Sequence, residues 1–178
     1  MKVLHVDASV RFENSTSREL SAYFLAELER SGVPLDVDRL DLARNAPQPF
    51  GPIQTAAMYV PIEEHSKEMT EALTESNGLV DRVLAADALV IGVPVYNFGM
   101  PAAFKAFVDN ISRSGRTFSY AETGRVGHLS NTKVAVLESA GGNYRGGAMF
   151  DGPEMKAKAV QEAKGEIRAI VDRWSRSA

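Results

Sequence analysis

The chain has 178 residues, a 44% hydrophobic fraction and a formal charge of −3, from 20 Lys and Arg against 23 Asp and Glu, so nothing in its charge marks a nucleic-acid or membrane-surface binder. Without cysteine it has no disulfides, thiol catalysis or Cys-based metal sites, and His5, His65 and His128 lie too far apart for metal-ligand spacing. No apolar stretch approaches the ~20 residues that span a bilayer, and Met1-Lys2 runs straight into a strand pattern, so a cytoplasmic protein of one domain over residues 1–178 is expected.

Val3 to Ser9 begins as a buried strand and turns polar at its end. Thr16-Ser17-Arg18-Glu19 has the spacing of a capping box and opens a helix with Leu20, Tyr23, Phe24 and Leu28 on one side. Gly32 stops that helix, and Leu35–Leu42 reads as a second strand. Residues 44–63 are proline-bearing and aperiodic, which predicts a long loop. Met69, Leu73, Val80, Val83 and Leu84 then mark a helix. Ala88–Val93 is an unbroken apolar run, the pattern of a strand buried on both faces in a parallel sheet. Pro101 suits the first turn of a helix whose apolar side is Phe104, Phe107, Val108 and Ile111. A polar hairpin or loop spans 113–131, and Val134–Leu137 is a fourth strand. The last helix carries Val160, Ala163, Ile167, Ile170 and Trp174 on one face.

Strands alternating with helices argue for an α/β fold with a parallel sheet covered on both sides. Right-handed crossovers put all the strand carboxyl ends on one edge, where such sheets bind ligands. Three of those ends carry unusual chemistry. Ser9 to Ser17 gathers hydroxyls and free N–H groups at a helix N-terminus, suited to a phosphate or, equally, to plain capping by Ser15 and Thr16. It lacks GxGxxG and GxxxxGK[ST]. Pro94-Val95-Tyr96-Asn97-Phe98 can lay backbone amides against the edge of a flat heterocycle, with a donor near Asn97 or Phe98 aimed at a flavin N5. The lesser alternative is that Tyr96 and Phe98 only plug the sheet edge. Ser139-Ala140-Gly141-Gly142-Asn143-Tyr144 lets backbone approach a ligand closely. Tyr120 either walls the pocket or packs beneath its own loop. His5 reads as a core-strand residue, with His65 and His128 facing solvent.

In their order along the chain, these residues resemble the FMN-dependent NADH-azoreductase and NADH:quinone oxidoreductase family. The carriers are Ser9-x-Arg11…Ser15-x-Ser17-x-x-Leu20, Pro94–Phe98, Phe107-x-Asp109 and Thr117-Phe118-x-Tyr120-x-Glu122-x-Gly124. Ser139-x-Gly141-Gly142-x-Tyr144 and Gly152-Pro153-Glu154-Met155 complete the set. The resemblance implies a flavodoxin-like, doubly wound parallel sheet of four strands in the order 2-1-3-4, with helices on both faces. It implies noncovalent FMN, with Ser9, Arg11 and Ser15, Thr16 and Ser17 around the phosphate. Pro94, Val95, Tyr96, Asn97 and Phe98 would line the ring, and Ser139, Ala140, Gly141, Gly142 and Tyr144 its polar edge. It further implies a homodimer with active sites at the interface and ping-pong hydride transfer from NADH or NADPH to a quinone or azo acceptor. Asn97 and Tyr120 would be the residues nearest the chemistry.

One departure stands out. The family places a helix and a fifth strand between the Gly-Gly loop and the Gly-Pro-Glu-Met segment, whereas only Asn143 to Asp151 intervene here. A crossover needs roughly a dozen residues or more, so the fourth strand becomes an edge. Cover is expected from a partner chain, the 113–131 loop or the last helix. Two other readings keep the flavin, one with a dedicated biosynthetic substrate and one as an electron-transfer or accessory subunit.

Overall fold

The first strand sets the pattern of the whole sheet. In the computed structural model, described for residues 1–142 and 153–176, β1 (Lys2–Asp7) is buried from Val3 to Val6. α1 (Thr16–Arg30) follows, and β2 (Asp36–Asp41) returns parallel to β1, with Val3 opposite Val37. α2 (Pro52–Ala57), a 3₁₀ turn at Ile62–Glu64, α3 (Lys67–Ala72) and α4 (Thr74–Leu84) lead to β3 (Ala88–Pro94). α5 (Ala102–Ile111) descends from β3 to an antiparallel hairpin, β4 (Phe118–Ala121) and β5 (Gly124–Gly127). β6 (Lys133–Ser139) completes a parallel sheet of order β2-β1-β3-β6, and α6 (Pro153–Ser175) closes the chain. With β6 as the fourth strand of the sheet, this is the expected order and the expected flavodoxin-like arrangement.

Every position of β3 is buried, as an apolar run without alternation requires in a central parallel strand. Alternate side chains feed two cores. On one face Val3, Val90, Ala135 and Leu137 pack with Phe24 and Leu28 of α1 and Ile167 and Val171 of α6. Trp174 meets Phe24 edge-on at 5.0 Å between centroids, anchoring the end of α6. On the other face Leu4, Val6, Leu89 and Ile91 pack with Leu79 and Val83 of α4 and Phe107 of α5. Among the described residues no helix is long and apolar enough to cross a membrane.

Several local expectations change. The 44–63 loop contains α2, begun by Pro52, whose missing N–H costs a first helical turn nothing. The helix expected across 69–84 is two helices, broken at Leu73, a buried residue that ends α3 and caps α4. The 113–131 segment resolves as a hairpin. Its root is Arg113, buried at 4% exposure, whose Nη1 donates to Ser76 Oγ at 2.7 Å. Burial holds the Arg113 pKa below the usual guanidinium range.

Phe107 lies at 1% exposure between α5 and the sheet, so Phe107→Ala removes a full aromatic from a filled core. Urea denaturation should show a loss of about 3–5 kcal/mol. A loss under about 1 kcal/mol would mean that α5 does not depend on this contact.

Candidate active site

Three loops leave the carboxyl ends of β1, β3 and β6, which are neighbours in the sheet. Ala8 N–H still donates to Gly92 O at 2.9 Å, so the first loop departs beside β3. Ser9 is buried, and its Oγ accepts the Arg11 N–H at 3.2 Å. The same Oγ lies 3.3 Å from the hydroxyl of Tyr96, which also accepts the Val10 N–H at 3.2 Å. Loops one and two are therefore tied together. Val95 N–H donates to Ser139 O at 2.7 Å, which ties loop two to loop three.

The first loop enters α1 through Asn14 at φ +54 and Ser15 at the N-cap. The capping box expected between Thr16 and Glu19 does not form. Thr16 is the first helical residue rather than the cap, and Glu19 pairs instead with Lys164 at 2.6 Å. Ser15 caps the helix in position only: its side chain takes none of the first-turn N–H groups, and its Oγ lies 3.4 Å from Ser17 Oγ. The turn thus presents backbone donors and the positive end of the helix dipole, with half-buried Ser15 and Thr16 beside buried Ser17.

Gly92 is what lets this turn lie so close to β3. A Cβ there would sit 2.8 Å from Asp7 Oδ1, 2.9 Å from Ser17 O and 3.0 Å from Ser21 Oγ. Arg18 then fastens the loop. It forms a bidentate pair with Asp41 at 2.8 and 2.9 Å and donates to Ser9 O at 2.6 and 3.1 Å. Its Nη1 also reaches Asp7 Oδ2 at 3.4 Å. The Asp41 hydrogen bonds raise the Arg18 pKa, and the same bonds hold Asp41 below the ordinary carboxylate range. Phe12 lies between the guanidinium groups of Arg18 and Arg44, at 5.1 and 4.6 Å. Sequence reasoning passed over Arg18 and Asp41. The available signal was a cation in the first turn of a helix, where the dipole disfavours it unless anions hold it.

The second loop is a two-residue reversal. Tyr96 and Gly99 exchange both backbone hydrogen bonds, at 2.8 and 3.0 Å, and the central Asn97 and Phe98 sit at φ +50 and +62. Asn tolerates that region, whereas Phe costs about 1–2 kcal/mol there. Phe98 is nonetheless 82% exposed. In the third loop Ala140 and Gly141 are exposed, and a Cβ on Gly141 would meet nothing within 4 Å. Packing inside the chain does not demand glycine there. Tyr144 and Gly152 lie outside the described residues.

Tyr120 is not brought to these loops. It is 66% exposed on the β4–β5 hairpin, edge-on to Phe118 at 5.6 Å and beneath Arg125. Hydrogen bonds of the hairpin and its flanks run to Arg113, Arg116 and Thr117 at its own root. His5 is the expected core-strand residue, accepting from Arg39 at 2.9 Å through Nδ1. His128 is exposed, but His65 is half-buried, its Nε2 donating to Ala57 O and Val60 O at 3.1 Å because the 3₁₀ turn folds over it. Among the described residues no three His, Asp or Glu gather as a metal-ligand set.

Uncapped backbone donors at the start of α1, a hydroxyl-bearing first loop and a strained aromatic reversal share one edge of a parallel α/β sheet. A family model described as flavodoxin-like fold matches residues 1–169. The FMN-dependent NADH:quinone oxidoreductase of Laribacter hongkongensis is 40% identical over 81% of this chain and 71% of its own length. That of Azospirillum brasilense is 32% identical over 96% of this chain and 97% of its own length, and its 202 aligned positions exceed this chain's 178 residues. The azoreductase of Bacillus anthracis strain Sterne superimposes with TM-score 0.74 at 27% identity, over 94% of this chain and 81% of that one. An FMN complex of a second Bacillus anthracis azoreductase gives TM-score 0.77 at 20% identity, over 98% of this chain and 99% of that one, a likeness of fold. The chain belongs to the FMN-dependent NADH:quinone oxidoreductase family.

Because Arg18 depresses the Asp41 pKa, the pair contributes stability that is complete above about pH 4 and lost as pH falls through the folded value. Asp41→Asn removes the titrating group. Urea titrations from pH 6 to 3 should show the wild type losing stability more steeply than D41N, and parallel losses would rule out the pair as the acid-sensitive element.

Proposed function

We propose that this chain is an FMN-dependent oxidoreductase that passes two electrons from NADH or NADPH to quinones, azo compounds or related electron-poor aromatics by a ping-pong route. The observation that carries the reading is the knot of loops one, two and three around Ser9, Tyr96, Val95 and Ser139, beside an α1 N-terminus whose amides no side chain caps. The redox chemistry belongs to FMN when bound; the protein holds and orients it.

The residues fit that group. Ser15, Thr16 and Ser17, with the first-turn amides, would hold the phosphate at the positive end of α1. Buried Ser9 keeps the loop in place through Tyr96, while Arg11 offers its exposed side chain at the loop's rim. Pro94 to Phe98 would flank the ring, the backbone of Asn97 serving the reacting edge. Ser139 to Gly142 would supply donors to the ring's polar edge, and Tyr144 is assigned there by position in the sequence. Tyr120 would contact the acceptor. Its hairpin is rooted away from the loops of its own chain, which supports a homodimer whose active sites lie at the interface. A cytoplasmic unit comprising residues 1–178 completes the reading.

Anaerobic titration tests it. Protein reconstituted with FMN should be yellow, bleach with NADH within a turnover and regain its colour with menadione. Bound FMN that NADH leaves oxidised would put an electron-carrying accessory subunit in place of the enzyme, and no bound FMN would overturn both. Ser15→Ala should weaken FMN binding about tenfold and leave riboflavin binding unchanged, because the hydroxyl serves the phosphate alone. Equal losses for both ligands would refute that role.

A further inference from the structure

Arg18 and Arg113 are both arginines drawn out of water, but among the described residues only Arg18 meets an anion. Its guanidinium goes to Asp41, Asp7 and Ser9 O. Arg113 is the more deeply buried, at 4% exposure, and its partners are neutral. Its Nη1 donates to Ser76 Oγ at 2.7 Å and to Asn77 Oδ1 at 3.2 Å, which uses both Nη1 hydrogens. Among the described residues no carboxylate pairs with Arg113, and its Nε and Nη2 make no hydrogen bond. Arg116 holds Asp81 for itself at 2.6 Å. Burial and the charge of Arg116 both lower the Arg113 pKa, and no anion acts against them. Neither unbonded nitrogen is sealed off: among the described residues the buried side-chain nitrogen or oxygen left without a partner is His5 Nε2 alone.

Arg113 lines a cavity of about 370 Å³ that runs between its own turn, Arg113 to Gly115, and residues 57–65. That size falls within the range of small-ligand sites, roughly 300–1,000 Å³. Both walls are held from behind. Thr117 Oγ1 accepts the Arg113 N–H at 2.9 Å on one side. On the other, His65 Nε2 donates to Ala57 O and Val60 O at 3.1 Å. Gly115, at φ +77, lets its wall come close to Ile62, whose Cδ1 is 3.9 Å from where a Cβ would stand. Val60, Pro61 and Ile62 make the facing wall apolar, and Glu63 lies exposed on the rim without pairing with Arg113. None of the lining residues belongs to the three loops of the flavin reading.

We infer that the Nε–Nη2 edge of Arg113 binds the carboxylate of a small organic acid whose apolar body lies against Val60, Pro61 and Ile62. Two parallel N–H groups on one guanidinium edge match the two oxygens of a carboxylate. A monoanion also supplies the one charge that Arg113 lacks. A phosphate would bring further charged oxygens against an apolar wall that offers them no donor. The site stands whether or not the flavin reading does.

Benzoate, added to the purified protein with FMN present, is the probe. Its binding should be saturable by calorimetry and should shift the Ile62 δ1-methyl NMR resonance, leaving the Met100 methyl at the second loop unmoved. Benzamide, of the same shape without the charge, and inorganic phosphate should each bind at least about tenfold more weakly. Arg113→Lys keeps the charge but loses the fork, and should weaken benzoate binding about tenfold. If that buried substitution prevents folding, Ile62→Trp at an exposed position fills the cavity and should abolish the calorimetric signal. No saturable binding, equal affinity for benzamide or phosphate, a shift at Met100 alone, or full benzoate affinity in a folded variant would overturn the inference.

Discussion

The site depends on one close approach, that of the first turn of α1 to β3 at Gly92. Ser17 O, Ser21 Oγ and Asp7 Oδ1 all come within about 3 Å of where a Cβ would stand. Any larger residue would lift α1 off the strand. With α1 seated, Arg18 reaches Asp41 at the end of β2, Asp7 at the end of β1 and the carbonyl of Ser9 in the loop between. One guanidinium thus joins the ends of two strands to the loop they bracket. Arg18 and Tyr96 thereby hold the start of the loop, and the first-turn amides of α1 are left without a side-chain cap.

Burying a cation costs several kcal/mol unless anions and acceptors surround it. Arg18 meets that condition with two carboxylates and a carbonyl, and Phe12 shields its outer face. Strain is concentrated elsewhere, at Asn97 and Phe98. Those φ values persist because the reversal is held at both ends, by the paired hydrogen bonds of Tyr96 and Gly99 and by the Val95 link to Ser139. Strain of this kind marks positions where the surrounding structure fixes a backbone for a purpose other than its own stability. A rigid parallel sheet carrying three fastened loops is the arrangement in which such strain can be sustained.

Legibility followed burial. The Ala88–Val93 run, the β1 strand and the apolar faces of α1, α5 and α6 were readable because core packing dictates their periodicity. The meeting of the three loops was readable from topology alone, since parallel strands must share an edge. What escaped was local. Whether Ser15 or Thr16 caps α1 turns on one residue of backbone, and the break at Leu73 leaves the helical apolar pattern almost in phase. The role of Arg18 escaped because its partners lie 11 and 23 residues away, a tertiary relation that no spacing rule encodes. His65 escaped likewise, its carbonyl partners being arranged by a 3₁₀ turn in a segment without periodicity.

The short connection after β6 alters the physics of the sheet more than that of the flavin loops. Losing a terminal strand does not unfold a doubly wound sheet, because each face is closed by helices that arrive from the other side of the chain. Here α6 comes back to cover Ala135 and Leu137, so one face of β6 is as well packed as that of a central strand. Among the described residues no helix covers the other face of β6, where Val134 and Val136 are exposed. The three loops need only the carboxyl ends of β1, β3 and β6, which the hydrogen bonds of Ala8 to Gly92 and of Val95 to Ser139 already hold side by side, so the geometry of that rim does not depend on a strand beyond β6.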